Sequence, residues 1–290
     1  MRRLSAALLF SGALFFAPFS GSVAHAQSLG LMPFERVQTA PKLGATLVDD
    51  IEIYNGGSVP VQVSTEIKDW SLSRDGKKIY ADVASSPQSL GAILRLNPTD
   101  FSIPPRKSQR VRYSIQVPAD MKGELRAMIF FTTRPLPVAG QKLGINISTR
   151  LGCSLFLLPP KNIAVAPQPK ISAITFVNDQ TTNAQPQIVV SVENSGLSST
   201  RLNGTIEARD VAGKIVAVGP LPRVQLLSGS ARDITAQWQT TLPVGDYLFK
   251  VVLDRGVGKL IAGEGRATLT APVAATVAPV VAPAKPNAKK

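Results

Sequence analysis

Proline and glycine punctuate this chain from end to end, and that limits what it can fold into more than any other feature. There are 23 prolines and 22 glycines among 290 residues, spread so evenly that no stretch is left for a long helix. Proline removes a backbone donor and glycine weakens a helix, so the segments between them suit short strands joined by turns. The side chains agree. In residues 110–117, Val111, Tyr113, Ile115 and Val117 alternate with Arg110, Arg112, Ser114 and Gln116, which is the period of a strand with one wet face. Residues 46–54, 59–67, 125–132 and 143–158 read as further strands, the last bent at Gly152. In the second half, residues 187–193, 205–209, 233–239 and 245–251 read the same way. Turns are expected at Asn55-Gly56-Gly57, at Asp75-Gly76 within a hairpin, at Asn194-Ser195-Gly196 and at residues 210–213.

The first 26 residues read as an export signal. Met1-Arg2-Arg3 is a short cationic start, residues 4–19 are mostly apolar, and Ala24-His25-Ala26 is a cleavage site flanked by small residues. The apolar run is short and broken by Gly12 and Pro18, and no later run is long enough to span a bilayer. The expected mature chain starts at Gln27 in the periplasm. It holds no histidine, because His25 is the only one, and that excludes histidine-dependent catalysis. A single cysteine, Cys153, gives neither an internal disulfide nor a cysteine metal site. It reads as a small buried strand residue.

Four prolines fall within residues 159–169, which marks a stiff linker. The fold class expected is all-β, with two tandem immunoglobulin-like β-sandwich domains. The signal occupies 1–26, the first sandwich 28–158, the linker 159–169, the second sandwich 170–270, and a disordered Ala/Pro/Lys tail 271–290. Tyr247 follows Leu242-Pro243-Val244-Gly245 and suits a tyrosine corner, in which the phenol bonds back to the preceding loop.

No chemistry-bearing constellation is visible. The formal net charge is +13, and Arg106, Lys107, Arg110 and Arg112 form a basic run. It lacks interleaved aromatic residues, so it reads as a solvated strand face and not as a nucleic-acid surface. Asp49, Asp50 and Glu52 read as a solvated acidic strand, and Trp70 as a core or rim aromatic. Gly256-Val257-Gly258-Lys259 and Gly263-Glu264-Gly265 lack the spacing of a phosphate loop. The expectation is a binding protein with no catalytic residue, no metal and no cofactor, and with no nucleic-acid partner.

The first half resembles the periplasmic pilus-assembly chaperones, the PapD-like family. The resemblance runs over about residues 34–163. It is carried by Glu35-Arg36-Val37, by Ile67-Lys68-Asp69-Trp70 ahead of Asp75-Gly76, and by Leu96-Asn97-Pro98 and Phe101 ahead of Pro104-Pro105. It continues through Gln109-Arg110-Val111-Arg112, Val117-Pro118, Gly123-Glu124-Leu125-Arg126, Arg134-Pro135 and Leu155-Phe156-Leu157-Leu158-Pro159. The second half is a more generic immunoglobulin-like module. The resemblance implies an L-shaped pair of sandwiches that binds an exported pilus-like subunit and caps it by donating a β-strand, with an outer-membrane usher as a further partner. The donor segment would be residues 143–149, with Leu143, Ile145, Ile147 and Thr149 on one face. That apolar face serves either a client's groove or the domain's own core. The family also anchors the subunit's terminal carboxylate with an arginine and a lysine. Arg36 matches the arginine, Ser154 stands where the lysine would be, and Arg150 is the nearest cation along the strand. The alternative function is a non-catalytic envelope module that binds cell wall or another surface protein through its basic first domain and tail.

Overall fold

The computed structural model describes residues 29–135, 148–178, 185–256 and 259–275. These form two tandem immunoglobulin-like β-sandwiches. Among the described residues there is no α-helix, only a single 3-10 turn at Gly91–Ile93, and no helix able to cross a membrane.

The first sandwich is built from β1 (Leu29–Met32), β2 (Glu35–Thr39), β3 (Thr46–Asn55), β4 (Val61–Leu72), β5 (Lys78–Ala81), β6 (Leu94–Asn97), β7 (Asp100–Ile103), β8 (Ser108–Gln116), β9 (Leu125–Pro135) and β10 (Arg150–Leu158). One sheet runs β1-β3-β8-β6; the other runs β2-β10-β9-β4-β5, with β7 also on β4. The alternation in β8 works as its sequence dictates. Val111, Tyr113, Ile115 and the following Val117 are buried, while Arg106, Lys107, Arg110 and Arg112 are exposed. Ile51, Ile53, Ile103, Ile129, Phe131, Cys153, Leu155 and Leu157 complete the same core, each large aliphatic contributing about 1.5–3 kcal/mol on burial. Trp70 belongs to a separate buried cluster facing the second sandwich.

The second sandwich comprises β11 (Pro169–Val177), β12 (Gln187–Asn194), β13 (Thr200–Arg209), β14 (Ile215–Leu226), β15 (Ser230–Thr235), β16 (Gly245–Asp254) and β17 (Leu260–Leu269). Its sheets are β11-β12-β15 and β14-β13-β16-β17. The tyrosine corner is present: the Tyr247 hydroxyl donates to the Pro243 carbonyl at 3.0 Å. Gly263 and Gly265 have a packing role. A Cβ on either would meet Ile171 or Ile174 at 3.0 Å, so bare glycine lets β11 lie close against β17.

Two readings need correction. The strand expected at 233–239 ends at Thr235. Ala236 N–H then bonds Ile188 in one sheet and Gln237 N–H bonds Pro220 in the other, so the chain crosses between sheets there. The start of the expected tail is tied down as well. Leu242 and Val273 exchange both backbone hydrogen bonds at 2.9 Å, and Val273 is buried.

Candidate functional site

The site begins with a strand that changes sheets. Leu31 is buried in the core, which holds β1 on β3 with Met32 opposite Glu52. Pro33 has no N–H to continue that ladder. The chain then crosses, and β2 joins β10 in parallel, from Glu35 opposite Ser154 to Thr39 opposite Leu158. The first hydrogen bond after the crossing runs from Ser154 N–H to the Phe34 carbonyl at 2.9 Å.

That crossing leaves half of β10 covered on one flank only. Residues Arg150 to Leu157 all pair with β9, whereas β2 reaches back only to Ser154. Among the described residues, no strand pairs with the other side of Arg150–Cys153. Backbone groups alternate sides along a strand. The alternation that turns Ser154 N–H toward Phe34 turns the groups of Gly152 and Arg150 the same way, to the uncovered flank. Ahead of β10, the Thr133 N–H bonds the Thr149 carbonyl at 2.8 Å and the Ser148 hydroxyl donates to the Thr133 carbonyl at 2.8 Å. The segment is therefore held against β9 from Ser148 onward. Leu143, Ile145 and Ile147 lie outside the described residues.

The two faces of this half-strand differ. Leu151 and Cys153 face the core. Burial pushes the Cys153 thiol up to about 11, and the Arg36 charge only partly opposes that, so the group stays a thiol. On the other face Arg150 pairs with Glu66 and lies over the Phe130 ring, 3.7 Å from its centroid.

The structure does not bring the three anchor candidates together. Arg36 sits opposite Leu155, on the core-facing side, and its guanidinium donates to Asp49 of β3. Asp49 is thus no solvated strand acid: it also accepts from Gln38 and, at 3.3 Å, from the Tyr113 hydroxyl. Partial burial acts to raise the Asp49 pKa, but the Asp50 N–H and Arg36 outweigh it and hold the carboxyl below its ordinary value. Ser154 occupies the opposite face of the sheet and is buried, with its hydroxyl 3.4 Å from the Phe34 carbonyl. Arg150 is engaged by Glu66.

What lies beside Ser154 is the boundary between the sandwiches. Glu35, opposite Ser154, pairs with Arg201 of β13. Glu124 accepts the Ser199 N–H at 2.8 Å and also the Ser199 hydroxyl. Arg126 donates to the Trp70 carbonyl at 3.2 Å and to the Ser228 hydroxyl at 3.1 Å. Trp70, Met128, Phe130 and Phe156 of the first sandwich close on Leu227 of the second. At the far end, Arg74 in the β4–β5 hairpin grips Asp233 through two bonds of 2.8 and 2.9 Å. Sequence reasoning missed Glu124 and Arg126 as a working pair. The signal was there: Glu124 stands just ahead of β9 and Arg126 two residues on, on the face of β9 opposite the apolar Leu125, Ala127 and Ile129.

No protein-family model matches the sequence, and no curated protein matches it. Solved structures similar to the chain include two chaperone–subunit complexes and one chaperone. The chaperone–tip subunit pre-assembly complex of the Csu pili of Acinetobacter baumannii is 15% identical over 82% of this chain and 97% of that chain, with a TM-score of 0.46. The SafA pilin–SafB chaperone complex of Salmonella enterica is 14% identical over 85% and 98%, with a TM-score of 0.44. The CupB2 chaperone of Pseudomonas aeruginosa is 14% identical over 81% and 97%, with a TM-score of 0.42.

Proposed function

We propose that this chain is a non-catalytic, chaperone-like protein of the periplasm that binds an exported pilus- or fimbria-type subunit and caps it by strand donation. The observation that carries the reading is the half-bare edge of β10. An unpaired edge offers a row of backbone donors and acceptors that is ready to pair with another chain. Adding a strand to such an edge is a general mode of recognition, and chaperone–pilin complexes use it. Here the bare length begins at Gly152 and Arg150 and leads directly toward residues 143–149. Leu143, Ile145 and Ile147 supply the alternating apolar side chains that would fill a partner's unfinished core. Each such anchor contributes about 1.5–3 kcal/mol before ordering costs. The reading does not need a nucleophile, a metal or a cofactor.

The anchor enters this proposal in altered form. A subunit's terminal carboxylate would compete with Asp49 for the Arg36 guanidinium, and Ser154 and Arg150 take no part. Asp49→Asn leaves the guanidinium without its carboxylate and therefore tightens client binding if Arg36 is the anchor.

The test is recovery of a client from periplasmic extract on the tagged full-length protein. A small exported protein should be retained by the wild type and lost with Ile145→Asp/Ile147→Asp at unchanged thermal stability. Retention at the wild-type level by that variant overturns strand donation.

A further inference from the structure

The bare edge has a fixed end, and the residues at that end are unusual. Met32 is 76% exposed, Phe34 60% and Val37 55%. Three large apolar side chains thus face solvent within six residues, at the point where the chain crosses from β1 to β2. Phe34 is the residue whose carbonyl takes the Ser154 N–H, so it marks the last position open to an added strand. Beyond it β2 occupies the edge. Val37 lies further on, opposite Phe156 on the face toward the second sandwich. Met32 and Phe34 flank Pro33 at the crossing itself. Neither belongs to the core, which Leu31 of β1 enters in their place.

We propose that Met32 and Phe34 form an apolar ledge that receives the terminal apolar side chain of an extended segment lying along the β10 edge, and so set the register of that segment. The proposal rests on the strand-donation reading and names a specificity determinant within it. The occupant is an extended strand because the flank of Arg150 and Gly152, which no described strand covers, runs up to the ledge, and only a strand can meet both the edge and its end. Backbone hydrogen bonds cannot distinguish one register from the next, because every residue offers the same groups. A register slip reverses which side chains face inward. One large contact at a fixed stop removes that ambiguity.

The experiment uses the full chain and two synthetic twelve-residue peptides of alternating valine and threonine, blocked at both ends. They differ only in carrying leucine or serine at the two terminal positions, so that strand direction does not matter. Binding is read by fluorescence anisotropy. The wild type should prefer the leucine peptide by about tenfold, equivalent to about 1.4 kcal/mol. The Met32→Ser/Phe34→Ser variant should bind both peptides alike, at the wild type's affinity for the serine peptide, with unchanged thermal unfolding. If the preference survives in the variant, or the wild type shows none while binding both, the ledge is overturned and edge pairing stands. If the wild type binds neither peptide, edge pairing fails and the ledge fails with it. If the variant's only change is loss of self-association, the ledge belongs to a contact between copies and the proposal is overturned.

Discussion

At the scale of single residues, the same side chain does different work according to what folds beside it. Asn55 and Asn194 both end strands, and both were legible as turn residues. Each is buried and uses its amide in the same way. The Asn55 side chain donates to the Val59 and Ile103 carbonyls and accepts the Gly57 N–H, while that of Asn194 donates to Ser198 and Leu227 and accepts the Gly196 N–H. The local half of that arrangement, the turn two residues on, is written in the sequence. The distant carbonyls are not. Asp49 makes the point more sharply, since its partner Arg36 sits in the other sheet. The folded carboxyl lies below its ordinary pKa, so its contribution is present above the unfolded value and is lost as pH falls through the folded one. Asp49→Asn should lower stability at pH 7 by about 1–2 kcal/mol. The difference from wild type should shrink steadily below pH 4, as read from urea unfolding at a series of pH values.

At the scale of elements, β10 lies between two neighbours, and its composition reflects both at once. Its odd-numbered residues fill the first core, while Gly152, Ser154 and Phe156 face the opposite way. Gly152 is confined by its surroundings: a Cβ there would meet the Met128 sulfur at 3.0 Å and the Phe130 ring at 3.2 Å. Gly152→Val should therefore cost about 1–3 kcal/mol through overpacking, with a matching fall in the urea midpoint. An unchanged midpoint would mean that the outer face of the sheet yields freely. In the second sandwich β16 is fastened by its corner. Tyr247→Phe removes one hydrogen bond to a carbonyl and should cost about 0.5–1.5 kcal/mol, measured the same way.

At the scale of the whole molecule, the boundary between the sandwiches is built like a core with a polar rim. Leu227 is fully buried among Trp70, Met128, Phe130 and Phe156, and Arg126, Glu124 and Arg74 hold groups of the second sandwich around it. A hydrophobic boundary of this kind restrains relative domain motion and should couple the two domains in unfolding. Calorimetry should show one transition for the wild type and two for Arg126→Ala/Leu227→Ala; a single transition in the variant would show that the domains are coupled by other contacts. From the residues alone β1, β11, β14 and β17 could not be read. What could be read was an all-β chain of two sandwiches, its longer alternating strands such as β3, β8, β9, β12 and β16 with their inward faces, and the turns. Those follow from the two-residue period of the pleat and from proline and glycine, which act within a few residues of themselves. Only the folded chain shows where β1 leaves its sheet, how far β2 covers β10 among the described residues, that Arg36 meets Asp49, and which charges meet between the sandwiches. Each of those depends on which strand lies beside which, and a pattern that repeats identically in every strand carries no record of its neighbour.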